Sequence, residues 1–187
     1  MASHGKDYGK AIQLYRSADS VSGDYSFKEA LVDVYKLAGD QKQSSLVANE
    51  IIDRMEKAAK AMAKGDSSGH YADREMAYAY LAVNNYDKAI EHALLEYNRR
   101  PNNIDANETV AWAYYCKGDY AKSSSYIKTA LQTGCKNPIL LCHAGLIYAK
   151  TNNKVRAKDY LQEALMHDGN VAPWLKAEVE QTLRSYM

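Results

Sequence analysis

The 187 residues carry 24 Lys and Arg against 23 Asp and Glu, a net charge of +1. That balance argues against a nucleic-acid or anionic-membrane surface on bulk electrostatics, and no apolar run approaches the roughly 18 residues of a membrane span. Ten Gly and three Pro are too few for disorder, one domain is the default at this length, and sixteen Tyr against one Phe suit surfaces that are half buried and half wet, as groove walls are.

In chain order, Met1–Gly5 is a lead without the hydrophobic region of a signal peptide. The compartment stays open: cytoplasmic, or periplasmic if a signal or anchor was removed. With Met1 removed, Ala2-Ser3-His4 would set an imidazole third from a free amine, an arrangement that chelates Cu(II) or Ni(II); a purification remnant is the simpler reading. Lys6 to Asp19 is predicted helical from the stripe Tyr8, Ala11, Ile12, Leu14, Tyr15 and Ala18. Tyr25 to Ala38 is a second helix, and Gly39-Asp40-Gln41 its turn. From Gln41 the stripe runs on through Ile51, Ile52, Met55, Ala58, Ala59 and Met62, which predicts one unbroken helix to Lys64. Its last three turns are expected to overhang neighbouring second helices by roughly 16 Å. Gly65 to Gly69 then breaks the pattern. Helix hairpins follow over His70–Arg100, Ile104–Thr133 and Pro138–His167. Val171–Met187, with Pro173 at its start, reads as a helix with one apolar face: Trp174, Leu175, Val179, Leu183 and Tyr186.

From His70 onward the chain repeats itself. Tyr80, Tyr114 and Tyr148 are 34 residues apart, and Ala77/Ala111/Gly145, Ala89/Ser123/Ala157 and Pro101/Cys135/Gly169 keep the same step. So do the turn triplets Asn84-Asn85-Tyr86, Gly118-Asp119-Tyr120 and Asn152-Asn153-Lys154. A fixed period of this length means stacked repeats. Small residues let paired helices approach, and Asn or Gly in the turn tolerates the left-handed conformation that ends the first helix. Tyr35 precedes Tyr80 by 45 residues, eleven more than the period. Eleven residues make about three helical turns, so the insertion preserves the phase of the apolar face.

The pattern resembles the tetratricopeptide repeat. One copy reads Ala111, Tyr114, Gly118-Asp119-Tyr120, Ser123, Ile127, Ala130, and the next Gly145, Tyr148, Ala157, Leu161, Ala164-Leu165. Asp73, Asn107 and Leu141 replace the family's early Trp, and Glu96 stands where a small residue is expected. The resemblance implies an all-α right-handed superhelix forming a single array over residues 1–187. It comprises a half repeat (6–19), a repeat with an extended second helix (25–64), regular repeats (70–101, 104–135, 138–169) and a capping helix (172–187). It also implies that first helices line a concave, peptide-binding groove. Tyr71, Arg74, Glu75 and Tyr78 would come from one copy, Asp105, Glu108, Thr109, Trp112 and Tyr115 from the next, and Ile139, Cys142, His143 and Leu146 from the third. Tyr78, Trp112 and Leu146 are equivalent positions and would form an aromatic-apolar ladder, either exposed for binding or partly buried between helices. The Lys and Asn clamp that some relatives use on acidic tails is missing, with Glu29/Asp33, Arg74/Tyr78 and Glu108/Trp112 at the matching pairs. The period and charge also disfavour the RNA-reading pentatricopeptide class.

No phosphate-binding loop or nucleophile elbow occurs. The five His lack ligand spacing, and Cys142-His143 are adjacent and so diverge on a helix. Cys116, Cys135 and Cys142 read as reduced thiols packed as small hydrophobes. The sequence supports no catalytic residue, cofactor or metal site. The expectation is a non-enzymatic scaffold or adaptor that binds a peptide or helical segment of another protein. Alternatives are a structural or regulatory segment of a larger protein or envelope-assembly factor, and a module that forms homo-oligomers.

Overall fold

The computed structural model describes residues 7–22, 25–62, 72–166, 169 and 171–186. Among the described residues there are ten helices and no strand. The helices are α1 (Tyr8–Ser22), α2 (Tyr25–Leu37), α3 (Gln41–Met62), α4 (Asp73–Ala82), α5 (Tyr86–Arg99), α6 (Ile104–Lys117), α7 (Tyr120–Ala130), α8 (Pro138–Lys150), α9 (Lys154–Met166) and α10 (Pro173–Arg184). No helix of the described residues is long and apolar enough to cross a membrane. The chain forms two compact units, Met1–Ala72 with Ala82–Asn84, and Asp73–Leu81 with Asn85–Met187. The expected helix end at Lys64, the Gly65–Gly69 break, His70 and Tyr71 lie outside the described residues, as do Ala2-Ser3-His4, His167 and Met187.

One turn chemistry recurs between paired helices. Gly39, Asn84, Gly118 and Asn152 hold positive φ, at 78°, 58°, 88° and 57°. Only Gly and Asn take that conformation readily. The next residue in each case accepts a hydrogen bond from the backbone N–H three residues on: Asp40 from Gln43 (3.0 Å), Asn85 from Lys88 (3.3 Å), Asp119 from Lys122 (3.2 Å) and Asn153 from Arg156 (3.3 Å). One helix is thus stopped and its partner started within two residues.

In the first unit α2 packs against both α1 and α3. Helix α1 is set off by Asp7, whose carboxylate accepts from the Lys10 N–H at 2.9 Å. The α1 start at Tyr8 and end at Ser22 extend the expected Lys6–Asp19 span at its far end. The Lys28 ammonium joins Asp19 of α1 (3.1 Å) to Glu50 of α3 (2.7 Å). Helix α3 is unbroken through Arg54 to Met62. Ile51, Ile52 and Met55 are buried, whereas Lys57 to Ala61 are exposed, so Ala58 and Ala59 do not continue the buried stripe.

In the second unit α4–α5, α6–α7 and α8–α9 form antiparallel hairpins. Ala77, Ala89, Ala111, Ser123 and Ala157 have no solvent exposure. Ser123 Oγ donates to the Ala111 carbonyl at 2.7 Å, and Ser44 Oγ in the first unit makes the same link to Val32 at 3.0 Å. A small residue at this place can therefore carry one hydroxyl, provided the other helix accepts it. At Gly145 the paired helices leave no room for a side chain. A Cβ there would strike the Leu161 side chain and fall 3.2 Å from the Ala157 carbonyl oxygen. Rings also pair across each hairpin: Tyr80 on His92, Tyr114 on Tyr126 and Tyr148 on Tyr160, all nearly parallel. Tyr148 is buried as the spacing leads one to expect, but Tyr114 is only half-buried, with the Lys122 ammonium over its outer face. Helix α8 is buried from Leu140 to Tyr148, and α10 packs on α8 and α9.

Candidate functional site

The face shared by α4, α6 and α8 joins most of the expected site residues through one chain of contacts. Tyr78 Oη donates to both oxygens of Glu108, at 3.1 and 2.9 Å. Glu108 also pairs with His143 Nδ1. The His143 ring lies flat on the Trp112 indole, centroids 3.7 Å apart, and Trp112 lies on Tyr115 at 4.7 Å. Tyr115 Oη donates to Glu178 Oε1 of α10 at 3.0 Å. The Arg74 guanidinium sits 5.5 Å from the Tyr78 ring centre, and its Nε is buried with no hydrogen-bond partner among the described residues.

The aromatic-apolar ladder is not an exposed one. Trp112 is 5 % and Leu146 1 % exposed. Both belong to a core with Leu141, Cys142, Leu161 and, from α10, Leu175 and Val179. The physical reason is packing from several sides: His143 and Tyr115 stack on the indole, and α10 adds Leu175 and Val179 to the same core. The apolar face of α10 closes over α8 and α9, and its Glu178 side reaches Tyr115 of α6. Glu108, Thr109, Cys142 and His143 are likewise buried. Arg74, Glu75, Tyr78 and Tyr115 are half-buried, and Asp105 and Ile139 are exposed; Tyr71 lies outside the described residues. A cavity of about 210 Å³ remains where the last turn of α10 stands off Tyr115, Leu146 and Lys150.

The charge at the centre is stabilised locally. Burial works against the Glu108 carboxylate, but His143, the Tyr78 hydroxyl and Arg74 outweigh it and hold its carboxyl below the ordinary range. Burial next to that carboxylate pushes the Tyr78 phenol far up, and burial with Glu178 beside it does the same to Tyr115. Both phenols therefore remain donors. A hydroxyl, a carboxylate and an imidazole in contact are raw material for proton transfer. Here Glu108 and His143 are 4 % and 2 % exposed, and their contacts lock three helices into one register.

Sequence reasoning did not place Leu175, Glu178 and Val179 in this site. Their helical spacing shows one apolar face, and a capping role sets that face on the last hairpin, where α10 does pack, but Glu178 falls among the polar residues expected to face away and instead reaches Tyr115 of α6. It also left Glu96 as a misfit. Glu96 is 3 % exposed and pairs with Arg99 (2.7 Å) and with Arg100. Arg99 pairs in turn with Asp73, which His92 Nδ1 meets at 2.7 Å. Arg at three and four residues beyond the Glu was the readable signal.

No family profile matches the sequence, and no curated protein matches it. Solved structures do. A thermophilic tetratricopeptide-repeat protein of Thermus thermophilus, TTC0263, aligns over 94 % of this chain and 90 % of its own, with a TM-score of 0.60 at 14 % identity. YrrB, a tetratricopeptide-repeat protein with an unusual peptide-binding site, aligns over 94 % of this chain and 84 % of its own, with a TM-score of 0.50 at 14 % identity. The fold is that of the tetratricopeptide repeat. At this identity the likeness establishes the fold, and the tetratricopeptide assignment agrees with the period, the turns and the small-residue contacts above. In tetratricopeptide terms, α4, α6 and α8 are first helices, and α10 follows the last hairpin.

Proposed function

We propose that the chain is a non-catalytic protein-interaction scaffold, one array over its full length, whose α4–α6–α8 face holds a helical or peptide segment of another protein. The observation that carries this reading is α10 itself. An amphipathic helix already packs on α8 and α9 at the end of that face, seated by Leu175 and Val179 and bonded through Glu178 to Tyr115 of α6. The residues beneath it are fixed by one another, so little freedom is lost when a ligand arrives. Aromatic groups and Arg are the residue types that most often dominate such contacts. Nucleic acid is a poor partner for a chain of net charge +1.

The test is quantitative capture of partner protein by the wild type, by Arg74→Ala on this face and by Lys122→Glu on α7. Arg74→Ala is expected to lower capture at least about tenfold, and Lys122→Glu to leave it within about twofold. The opposite order would place the working surface elsewhere.

A further inference from the structure

Helix α10 starts on Pro173 without a side-chain cap. The first turns of α5, α6, α7 and α8 are each capped by a side chain, from Asn85, Asn103, Asp119 and Asn137. Ala172 precedes α10 and supplies no side-chain cap, and the first turn of α10 carries no acidic residue. Twelve residues are too few for a helix to persist in water without packing. Its grip within the helix is Leu175 and Val179, both buried, with Trp174 and Leu183 partly buried against the same core and Glu178 on the Tyr115 hydroxyl. Its last turn leaves the cavity beside Tyr115, Leu146 and Lys150 unfilled. Part of the floor beneath it has contacts of its own. Trp112 is held by His143 and Tyr115, and Glu108 by Tyr78 and His143.

We propose that α10 is a resident ligand of this face, displaced when a partner protein supplies an amphipathic helix of matching chemistry. That helix carries branched aliphatic residues four apart and a carboxylate one residue before the second, as Leu175, Glu178 and Val179 do. The aliphatic pair takes the seat over Trp112 and Leu146, and the carboxylate takes the Tyr115 hydroxyl, with the Lys150 ammonium on the same cavity wall. The inference rests on the scaffold reading and adds a gate to it: the internal helix competes with the external one, so only a partner that outbinds it gains entry.

The test uses the full chain and a fluorescein-labelled synthetic peptide of residues 171–186, read by anisotropy. Val179→Asp unseats the chain's own α10. The peptide is expected to bind this variant at least about tenfold more tightly than the wild type. Adding Tyr115→Phe to Val179→Asp, which deletes the donor, is expected to weaken the peptide several-fold. Both tryptophans of the chain, Trp112 and Trp174, lie at this seam, so release of α10 also shifts the emission of Val179→Asp to the red. Equal peptide affinity for wild type and Val179→Asp, or binding to neither, overturns the proposal. If circular dichroism shows Val179→Asp unfolded, Glu178→Ala decides, since it leaves the aliphatic seat intact: a rise of about threefold supports the gate and no rise removes it. The expected peptide order with no partner captured would keep the resident helix and remove the scaffold reading. A partner captured equally by wild type and Val179→Asp would do the reverse.

Discussion

At the scale of single residues, the centre of the site is a buried charge with three attendants. Glu108 is held ionised by His143, Tyr78 and Arg74 against the cost of burial. Its carboxyl lies below the unfolded value of about 4.3. The sign follows directly: a depressed carboxyl stabilises the fold above the unfolded pKa, and that stabilisation is lost as pH falls through the folded value. Glu108→Gln is therefore expected to be less stable than the wild type at about pH 7. The gap should narrow progressively below about pH 4. Denaturant midpoints of the two proteins across pH check this, and a gap that widens with acid would show that Glu108 is not the stabilising charge. The sequence named Glu108 and His143 for the groove but not their partnership. The period shows that residues about 34 apart lie on neighbouring first helices, yet it says nothing about which side chains turn toward each other. Burial of Trp112 was undecidable for the same reason. A Trp on a first helix fits an open groove or a covered floor equally well, and the His143 and Tyr115 rings stacked on it, with α10 in the same core, decide.

At the scale of elements, the hairpins follow from very local information. Positive φ at Gly39, Asn84, Gly118 and Asn152, each followed by a capping Asp or Asn, fixes where one helix stops and the next begins. This is why helix boundaries were readable to within a few residues, and why α3 could be drawn unbroken through an eleven-residue insertion. The contact between paired helices depends on size. Gly145 is the most demanding case, because Leu161 and the Ala157 carbonyl occupy the space that a side chain would need. Gly145→Leu is expected to separate α8 from α9 and to cost about 1–3 kcal/mol, read as a lowered thermal midpoint. A melt unchanged from the wild type would mean that α8 and α9 are not packed as described. The half-buried Tyr114 shows the limit of such reasoning. Its spacing matches that of Tyr80 and Tyr148, but its outer face meets Lys122 rather than core.

At the scale of the whole molecule, the central claim is that partners are met on the face of α4, α6 and α8 and not on the outer helices. The fold was legible because periodicity averages over many positions. The site was legible only as a face, because the period sets which positions are equivalent but not which side chains meet. Site-specific photo-crosslinking in cells tests the claim most directly. A photoreactive amino acid replaces Ile139, exposed on α8 at a position that the repeat assigns to the groove, or Val155, 74 % exposed on α9. The account predicts that the chain carrying the probe in place of Ile139 forms a discrete protein adduct on illumination and that the chain carrying it in place of Val155 does not. Adducts from the Val155 position with none from the Ile139 position would contradict it.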